Sequence, residues 1–428
     1  MTRRWSAPAA RLLAAAMFLS SHSRAGVWGL DPVLGFSGDY ASNPALLDIA
    51  HTSEVHGAVL LDAPTSYNGD AFKLSFFPSF RLGNSGGYSS LDSDYEHFNV
   101  KGEFDTERSV LSVSGGVARD SSIALFAEPV GANGASGVAY NGLLDGKAGV
   151  ERNSAAADVN WGRSLTERSD FNVDINSMKV RYAEPASLAT LVDAPTLIDY
   201  SYTSITPTLG WASSERGKLT AAASIGRYKS LSGAQTESTN ANLQLGYIHQ
   251  LNELWSLTAT AGYSRAIDKI DEIEKVLKFA PSGSEIVVVS RTLESAQNGS
   301  VYSVNVSRQA TLLLVTLAAS RQLVPSGFAY LSRQSSYVVA ASYTASERWT
   351  VGANLSWVQS QNPAVRDLAG ATDIKTGYVS LSASWQWTEH WNVGLSASHV
   401  IDKPSPNLEL SSSSIGIKLS RKFNRISF

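Results

Sequence analysis

Cysteine is absent from all 428 residues, which excludes disulfides and thiolate metal sites. Its absence fits a chain that must cross an oxidising periplasm unfolded. Beyond residue 25 no segment holds the ~20 continuous apolar residues that a membrane helix requires. An excess of positive charge is missing too: 35 Lys and Arg stand against 38 Asp and Glu, a formal −3, which gives no support for nucleic-acid binding. There is no phosphate loop, no EF-hand, no His-x-x-x-His spacing and no serine-hydrolase motif. Mean hydropathy is −0.08, with 43% hydrophobic and 17% charged residues, an average like that of a soluble protein. A transmembrane barrel hides from that average, because half of each strand faces a lumen and is polar.

Residues 1–25 read as a cleaved secretory signal. Arg3, Arg4 and Arg11 precede the apolar run Leu12 to Leu19, and Ser23-Arg24-Ala25 offers small residues for cleavage. The segment is too short to span as a helix. It carries four arginines and no acid, so its removal takes the formal charge from −3 to −7 for the mature chain, 26–428.

What is present is alternation. After Ser346-Glu347, residues Trp349, Val351, Ala353, Leu355 and Trp357 alternate with Thr350, Gly352, Asn354 and Ser356. Period 2 means a strand with one apolar and one polar face. The two tryptophans are eight residues apart on one face, and at ~3.3 Å per residue and a tilt near ~40° they are separated by roughly 20 Å along a barrel axis. The same interval recurs from Trp255 to Tyr263 and from Trp391 to His399. A soluble sheet has no reason to cap both ends of an apolar face with amphipathic rings, whereas a lipid-facing strand sets them at the two headgroup levels. The expected fold is all-β, a transmembrane antiparallel up-and-down β-barrel with short periplasmic turns and long outer loops.

Taken in order, strands are expected near 33–40, 54–61 and 71–82, with Pro64 to Gly69 as a turn cluster. A turn signature then repeats at Thr106-Glu107-Arg108, Thr166-Glu167-Arg168, Ser214-Glu215-Arg216, Asn252-Glu253-Leu254, Ser346-Glu347-Arg348 and Thr388-Glu389-His390. One gap is twice the usual step, and a degenerate turn at Arg308-Gln309-Ala310 divides it. Eight short turns imply about 18 strands, with 16 as the alternative. The glutamates read as exposed turn residues, not a catalytic series.

The opposite connections are longer: 121–150 with an apolar start at Ile123 to Phe126, and 183–197 with a helical turn at 186–191. After Tyr263, residues Ile267, Ile270, Ile273, Val276 and Leu277 lie among Asp268, Asp271, Glu272 and Glu274 at helical spacing. Two readings follow: a helix folded into the lumen that narrows it, or a surface helix packed on neighbouring loops. In the last strand Ile415, Ile417, Leu419 and Phe423 share one parity while Ile426 and Phe428 have the other. Either a bulge intervenes or the last five residues leave the regular ladder.

The lumen would receive Ser256, Thr258, Thr260, Gly262, Thr350, Gly352, Asn354, Ser356, Ser380, Ser382, Ser384, Asn392, Ser396 and Ser398, with scattered charges at Lys101, Glu103, Asp174 and Lys218. These are small hydrogen-bonding groups without a basic ladder, so the reading is a channel for hydrophilic, weakly charged solutes such as saccharides. The alternative is a structural or adhesive surface barrel without transport. No enzyme activity, catalytic residue, cofactor or metal site is assigned: Ser398 and His399 would point to opposite faces, and His390 and His56 are placed near the periplasmic end. The partners expected are outer-membrane lipid and saccharides, with no nucleic acid.

Trp28-Gly29-Leu30-Asp31-Pro32, then Gly35-Phe36-Ser37-Gly38-Asp39-Tyr40-Ala41-Ser42-Asn43-Pro44, then the series of S/T-E-R/H turns, resembles the β-barrel porin 2 group. That group includes barrels associated with exosortase and exopolysaccharide gene clusters. The resemblance implies an outer-membrane barrel of a Gram-negative bacterium serving polysaccharide export, and it transfers no catalytic residue. Phe428 likewise resembles the terminal aromatic by which barrel-assembly machinery recognises the C-terminal strand of its clients.

Overall fold

A computed structural model gives the fold and describes residues 26–43, 46, 53–85, 95–121, 151–183, 197–232, 235–280, 283–327, 331–361, 374–405 and 408–427. The leader, the 122–150 loop, the expected helical turn at 186–191 and Phe428 lie outside the described residues. Twenty-one strands follow in chain order: β1 Val27–Leu30, β2 Val33–Ala41, β3 Glu54–Asp62, β4 Thr65–Asn68, β5 Phe72–Ser85, β6 Tyr95–Asp105, β7 Ser109–Ser121, β8 Glu151–Ser164, β9 Ser169–Tyr182, β10 Tyr200–Ala212 and β11 Gly217–Ser230. The series continues with β12 Gln235–Gln250, β13 Trp255–Ala280, β14 Gly283–Gln309, β15 Leu313–Pro325, β16 Leu331–Ser346, β17 Trp349–Gln361, β18 Ile374–Gln386, β19 Trp391–Ser405, β20 Leu408–Lys422 and β21 Ile426–Ser427.

Eighteen of these close into an antiparallel barrel. Each pairs with the next, β3 passes directly to β5, and β20 pairs with β2 from Val33↔Lys422 to Ala41↔Ser414, so no edge is left. The other three form a small patch below the short-turn rim. There β1 lies between β4 and β21, and β4 pairs with the start of β5. The expected turn cluster at 64–69 thus contains a strand. Its Tyr67 is buried against Trp28 at 5.1 Å and Phe72 at 6.3 Å. The parity change at the C-terminus has its reason here: β20 ends at Lys422, and Ile426–Ser427 leave the barrel to pair with Leu30 and Gly29.

The six turns that carry the repeated signature fall where it put them; the degenerate one lies at 310–312, because Arg308 and Gln309 still belong to β14, and the connection near 64–69 holds β4. In most of the signature turns the first residue holds the turn. Thr166 Oγ1 accepts from the backbone N–H groups of Arg168 and Ser169 at 3.2 and 3.1 Å; Thr388 Oγ1 does the same for His390 and Trp391, and Asn252 Oδ1 for Leu254 and Trp255. A side-chain acceptor two or three residues upstream replaces the ladder bond that a reversing chain loses. The glutamates are exposed, as expected.

One expectation fails. Residues 267–278 are not helical: they belong to β13, which is zipped to β14 from Trp255↔Arg308 to Ala280↔Gly283. The threefold spacing of apolar residues mimics a helix face, but Ile267, Ile270, Ile273 and Val276 are β-branched. The facing run Ile286-Val287-Val288-Val289 supplies a partner strand of the same preference in register. Two segments that pair this way leave no helix to enter the lumen or to lie on the surface. The hairpin outruns its neighbours, since β12 stops at Gln235↔Asp271 and β14 leaves β15 at Tyr302↔Arg321.

Candidate functional site: the lumen and an inward-folded hairpin tip

The register fixes two faces. Leu219, Ile225, Leu243, Leu245, Leu355, Leu381, Leu395 and Ile415 are exposed on the outward face, and pairing aligns them across strands, as in Leu355↔Val379↔His399. Aromatic residues cap this band at both ends. Trp161, Trp211, Trp349 and Trp387 lie at the short-turn end, and Tyr40, Tyr263, Tyr337 and Trp357 at the long-loop end. Trp349 stacks on Trp385 at 5.7 Å, while Arg308 and Arg421 sit over the rings of Trp255 and Trp391. Cations that cover interfacial rings keep their own charge near water.

The expected inward set is inward. Asn354 pairs with Ser380, which pairs with Ser398, and on the same face Ser398 Oγ and Ser414 Oγ are 2.6 Å apart. Ser256 Oγ meets Ser307 Oγ at 2.6 Å. His399, on the other face, bonds Ser413 Oγ at 2.9 Å, so Ser398 and His399 do not meet. His56 corrects the sequence reading: it faces inward opposite Asp39, near the long-loop end of β3, and not near the short turns.

The inner wall is also more ionic than the sequence suggested. Along β2 to β8 the long-loop half holds Asp39 with Arg81 at 3.0 Å, Glu54 with His56 at 3.7 Å, and Asp120 with both Arg152 at 3.0 Å and His97 at 3.4 Å. Arg152 grips both oxygens of Asp120, a bidentate pair with both side chains almost wholly buried. Nearer the short turns, Lys73 bridges Glu103 and Asp105, Lys101 meets Glu103, and Lys218 meets Asp170. Register could have found these pairs, because they join inward positions of one strand, as Glu54 with His56 and Lys101 with Glu103, or of strands that adjoin or nearly adjoin. Without register the charges look scattered.

Across the lumen sits a feature that no sequence motif marks. Met178 and Val180 on β9, Tyr200 on β10, Tyr228 on β11 and Ala266 on β13 all point inward, and they form one buried cluster with Leu331 at the start of β16. Tyr182, Tyr202 and Leu323 pack against it. Tyr228 is 0% exposed and donates its hydroxyl to the Ser326 carbonyl at 3.1 Å. Ile198 N–H donates to the Gly327 carbonyl at 2.7 Å. Residues 326–327 connect β15 to β16, several strands around the wall from β10 and β11, so the tip of that hairpin is folded into the barrel. The break in pairing allows it. The β14–β15 ladder runs from Gln309↔Leu314 to Tyr302↔Arg321, beyond which β15 stays with β16 to Pro325↔Leu331 and bends away from β14. Arg333 lies in the resulting seam and donates to the Asn298 carbonyl at 2.8 Å. Gly299 makes room for it, since a Cβ there would strike the guanidinium.

The arrangement is a lumen with a polar wall along β2 to β8 and a hairpin tip filling the side along β9 to β13 at the long-loop end. Among the described residues no cluster of His, Asp and Glu has the makings of a metal site.

No family model matches the chain, and no curated protein sequence does either. Solved structures resemble it in form. The glucuronate complex of OccK2 (OpdF) from Pseudomonas aeruginosa is 11% identical with a TM-score of 0.42, covering 92% of this chain and 98% of that one. A BenF-like porin from Pseudomonas fluorescens Pf-5 is 10% identical with a TM-score of 0.45, covering 93% and 99%. The ferric-catecholate import receptor Fiu from E. coli K12 is 9% identical with a TM-score of 0.46, covering 92% and 82%. At these identities and scores the chain is similar to such barrels in outline only, and the likeness assigns it no solute.

Proposed function

We propose that the protein is an outer-membrane barrel of a Gram-negative bacterium that conducts hydrophilic solutes, with neutral saccharides as the favoured class and polysaccharide export as the setting. One observation carries this reading: a closed ladder turns an apolar, aromatic-capped face outward and a face of hydroxyls, amides and internally paired ions inward. Only a bilayer makes that outward face favourable, because exposing so many large apolar side chains to water would drive aggregation. The inner wall suits solutes that exchange hydrogen bonds with serine and threonine, and several of its carboxylates, Asp39, Glu103, Asp120 and Asp170 among them, are matched by cations on the same wall. Export through a cleaved leader at 1–25 and recognition of the C-terminal strand by barrel-assembly machinery belong to the same reading. The hairpin tip takes the narrowing role that one of the two readings of the segment after Tyr263 gave to a helix there.

The full burial of Tyr228 and Leu331 favours a second reading, in which the tip plugs the barrel and the working part is the outer surface. Liposome swelling with neutral sugars of increasing size separates the two. Uptake with a size cut-off is expected of the channel, and no uptake of even a monosaccharide by correctly folded protein would leave the plugged barrel.

A further inference from the structure

A large apolar side chain stands exposed in the middle of the polar inner wall. Phe77 on β5 lies between Ser75 and Ser79 on the lumen face, paired with Asn99 of β6, and 47% of its surface is open. Phe72, five residues nearer the short turns, is exposed outward beside Phe104. At ~3.3 Å per residue and a tilt near ~40°, Phe77 is roughly 13 Å above it, about half the height of the apolar band. The other large apolar side chains exposed on the described inner wall, Val110, Ile248 and Leu314, stand within two positions of a strand end at the short-turn mouth. No packing demand accounts for Phe77. Its inward neighbours along β5 are Lys73, Ser75, Ser79 and Arg81, and a ring that touches water forgoes the burial that stabilises phenylalanine elsewhere.

The groups around this ring offer hydrogen bonds in both senses. Asn99 is exposed, and its Oδ1 lies where a Cβ of Gly116 would be, so the amide reaches toward β7 and away from the ring. Two positions nearer the short turns, Lys101 meets Glu103, and Lys73 bridges Glu103 and Asp105. Two ammonium groups and two carboxylates thus stand together without net charge. On the other side of Asn99, His97 stacks on Tyr95 at 4.6 Å and meets Asp120 at 3.4 Å. An apolar ring face rimmed by donors and acceptors of no net charge is complementary to a pyranose. Its axial C–H groups make an apolar face, and each of its equatorial hydroxyls both donates and accepts. An acyclic polyol has the hydroxyls without the face, and an aromatic acid has the face but brings an unmatched charge.

We infer that Phe77 is the stacking platform of a saccharide subsite on the inner wall, with Asn99, Lys73 and the Lys101–Glu103 pair as its hydrogen-bonding rim, shaped for one neutral pyranose unit. The inference rests on the channel reading above and gives the solute a place on the wall. A single ring with a polar rim holds a sugar weakly, and a conducting lumen needs binding that lets the solute leave as well as enter.

Saturation-transfer NMR on the full chain tests it with three probes: cellotriose, mannitol and benzoate. A zwitterionic detergent is used, because a glycoside head group would compete. Wild type should transfer saturation to the ring C–H protons of cellotriose and not to mannitol. Phe77→Ala should weaken cellotriose binding by roughly fivefold or more, and Phe77→Trp should retain it. Phe72→Ala, on the outward face, should change nothing. Heat-modified gel migration checks that each variant is a closed barrel, which is expected because an exposed ring contributes little to the ladder. Equal binding by Phe77→Ala, or mannitol bound as well as cellotriose, would overturn the subsite. Phe77-dependent binding of benzoate in place of cellotriose would keep the platform and overturn its saccharide ligand. Conduction is scored separately in planar bilayers: an open channel whose cellotriose binding ignores Phe77 removes only this inference, while no conductance from inserted barrels removes the channel reading.

Discussion

An arginine placed at one height on either face of the wall should have two very different effects. Ala353 lies four residues from Trp349 and four from Trp357, midway between the two girdles, and points outward. Ser396 faces the lumen one residue from Ala397, which is aligned with Ala353 through Leu381. Both positions are therefore near mid-wall. Ala353→Arg sets a guanidinium into the apolar band roughly 10 Å from either headgroup level, at ~3.3 Å per residue along tilted strands. Its aliphatic stem reaches only part of that distance. The expected destabilisation is about 2–4 kcal/mol. Ser396→Arg points into the lumen between Ser382 and Gly416, so about 1 kcal/mol or less is expected. Urea unfolding in phospholipid vesicles, followed by fluorescence of the chain's tryptophans, measures both. Equal destabilisation, or a greater effect of Ser396→Arg, would show that the faces are reversed or that no bilayer surrounds the outer one.

Three further outcomes are expected. Arg152→Ala leaves Asp120 buried with only His97 beside it, which should destabilise by about 3 kcal/mol; adding Asp120→Asn should recover much of it in the same unfolding assay. Tyr228→Phe removes the hydroxyl that donates to the Ser326 carbonyl, a loss of about 1 kcal/mol, and should make the β15–β16 connection more susceptible to limited proteolysis while leaving the barrel closed in heat-modified gel migration. Thr166→Ala strips two backbone N–H groups of their acceptor, and by analogy with helix caps should lower stability by about 0.5–2 kcal/mol, whereas Glu167→Ala should be silent.

The barrel was legible because its signals are local and repeated. Trp349 to Trp357 and Trp391 to His399 state strand, face and span in nine residues each, and the S/T-E-R turns count the strands. Two things were not legible. Spacing alone could not separate helix from strand at 267–278, where apolar residues three apart satisfy either pattern and the decision came from the Ile286 to Val289 partner strand. The lumen's working features were hidden for a related reason. Asp120 with Arg152, and Tyr228 with Ser326, are separated by 32 and 98 positions, and only register and the bend of β15 away from β14 bring them together. A sequence shows which face a residue occupies more readily than which residue it meets across a lumen.

The central claim is a wetted lumen narrowed by an inward-folded tip. Single-channel recording in planar bilayers tests it most directly, with wild type beside Tyr228→Ala, which deletes a wholly buried ring and its bond to Ser326 while leaving every ladder bond in place. The account predicts a small, weakly cation-preferring conductance for the wild type and a larger one for Tyr228→Ala. Identical conductance in the two, or none in either from protein that has inserted as a folded barrel, would contradict it.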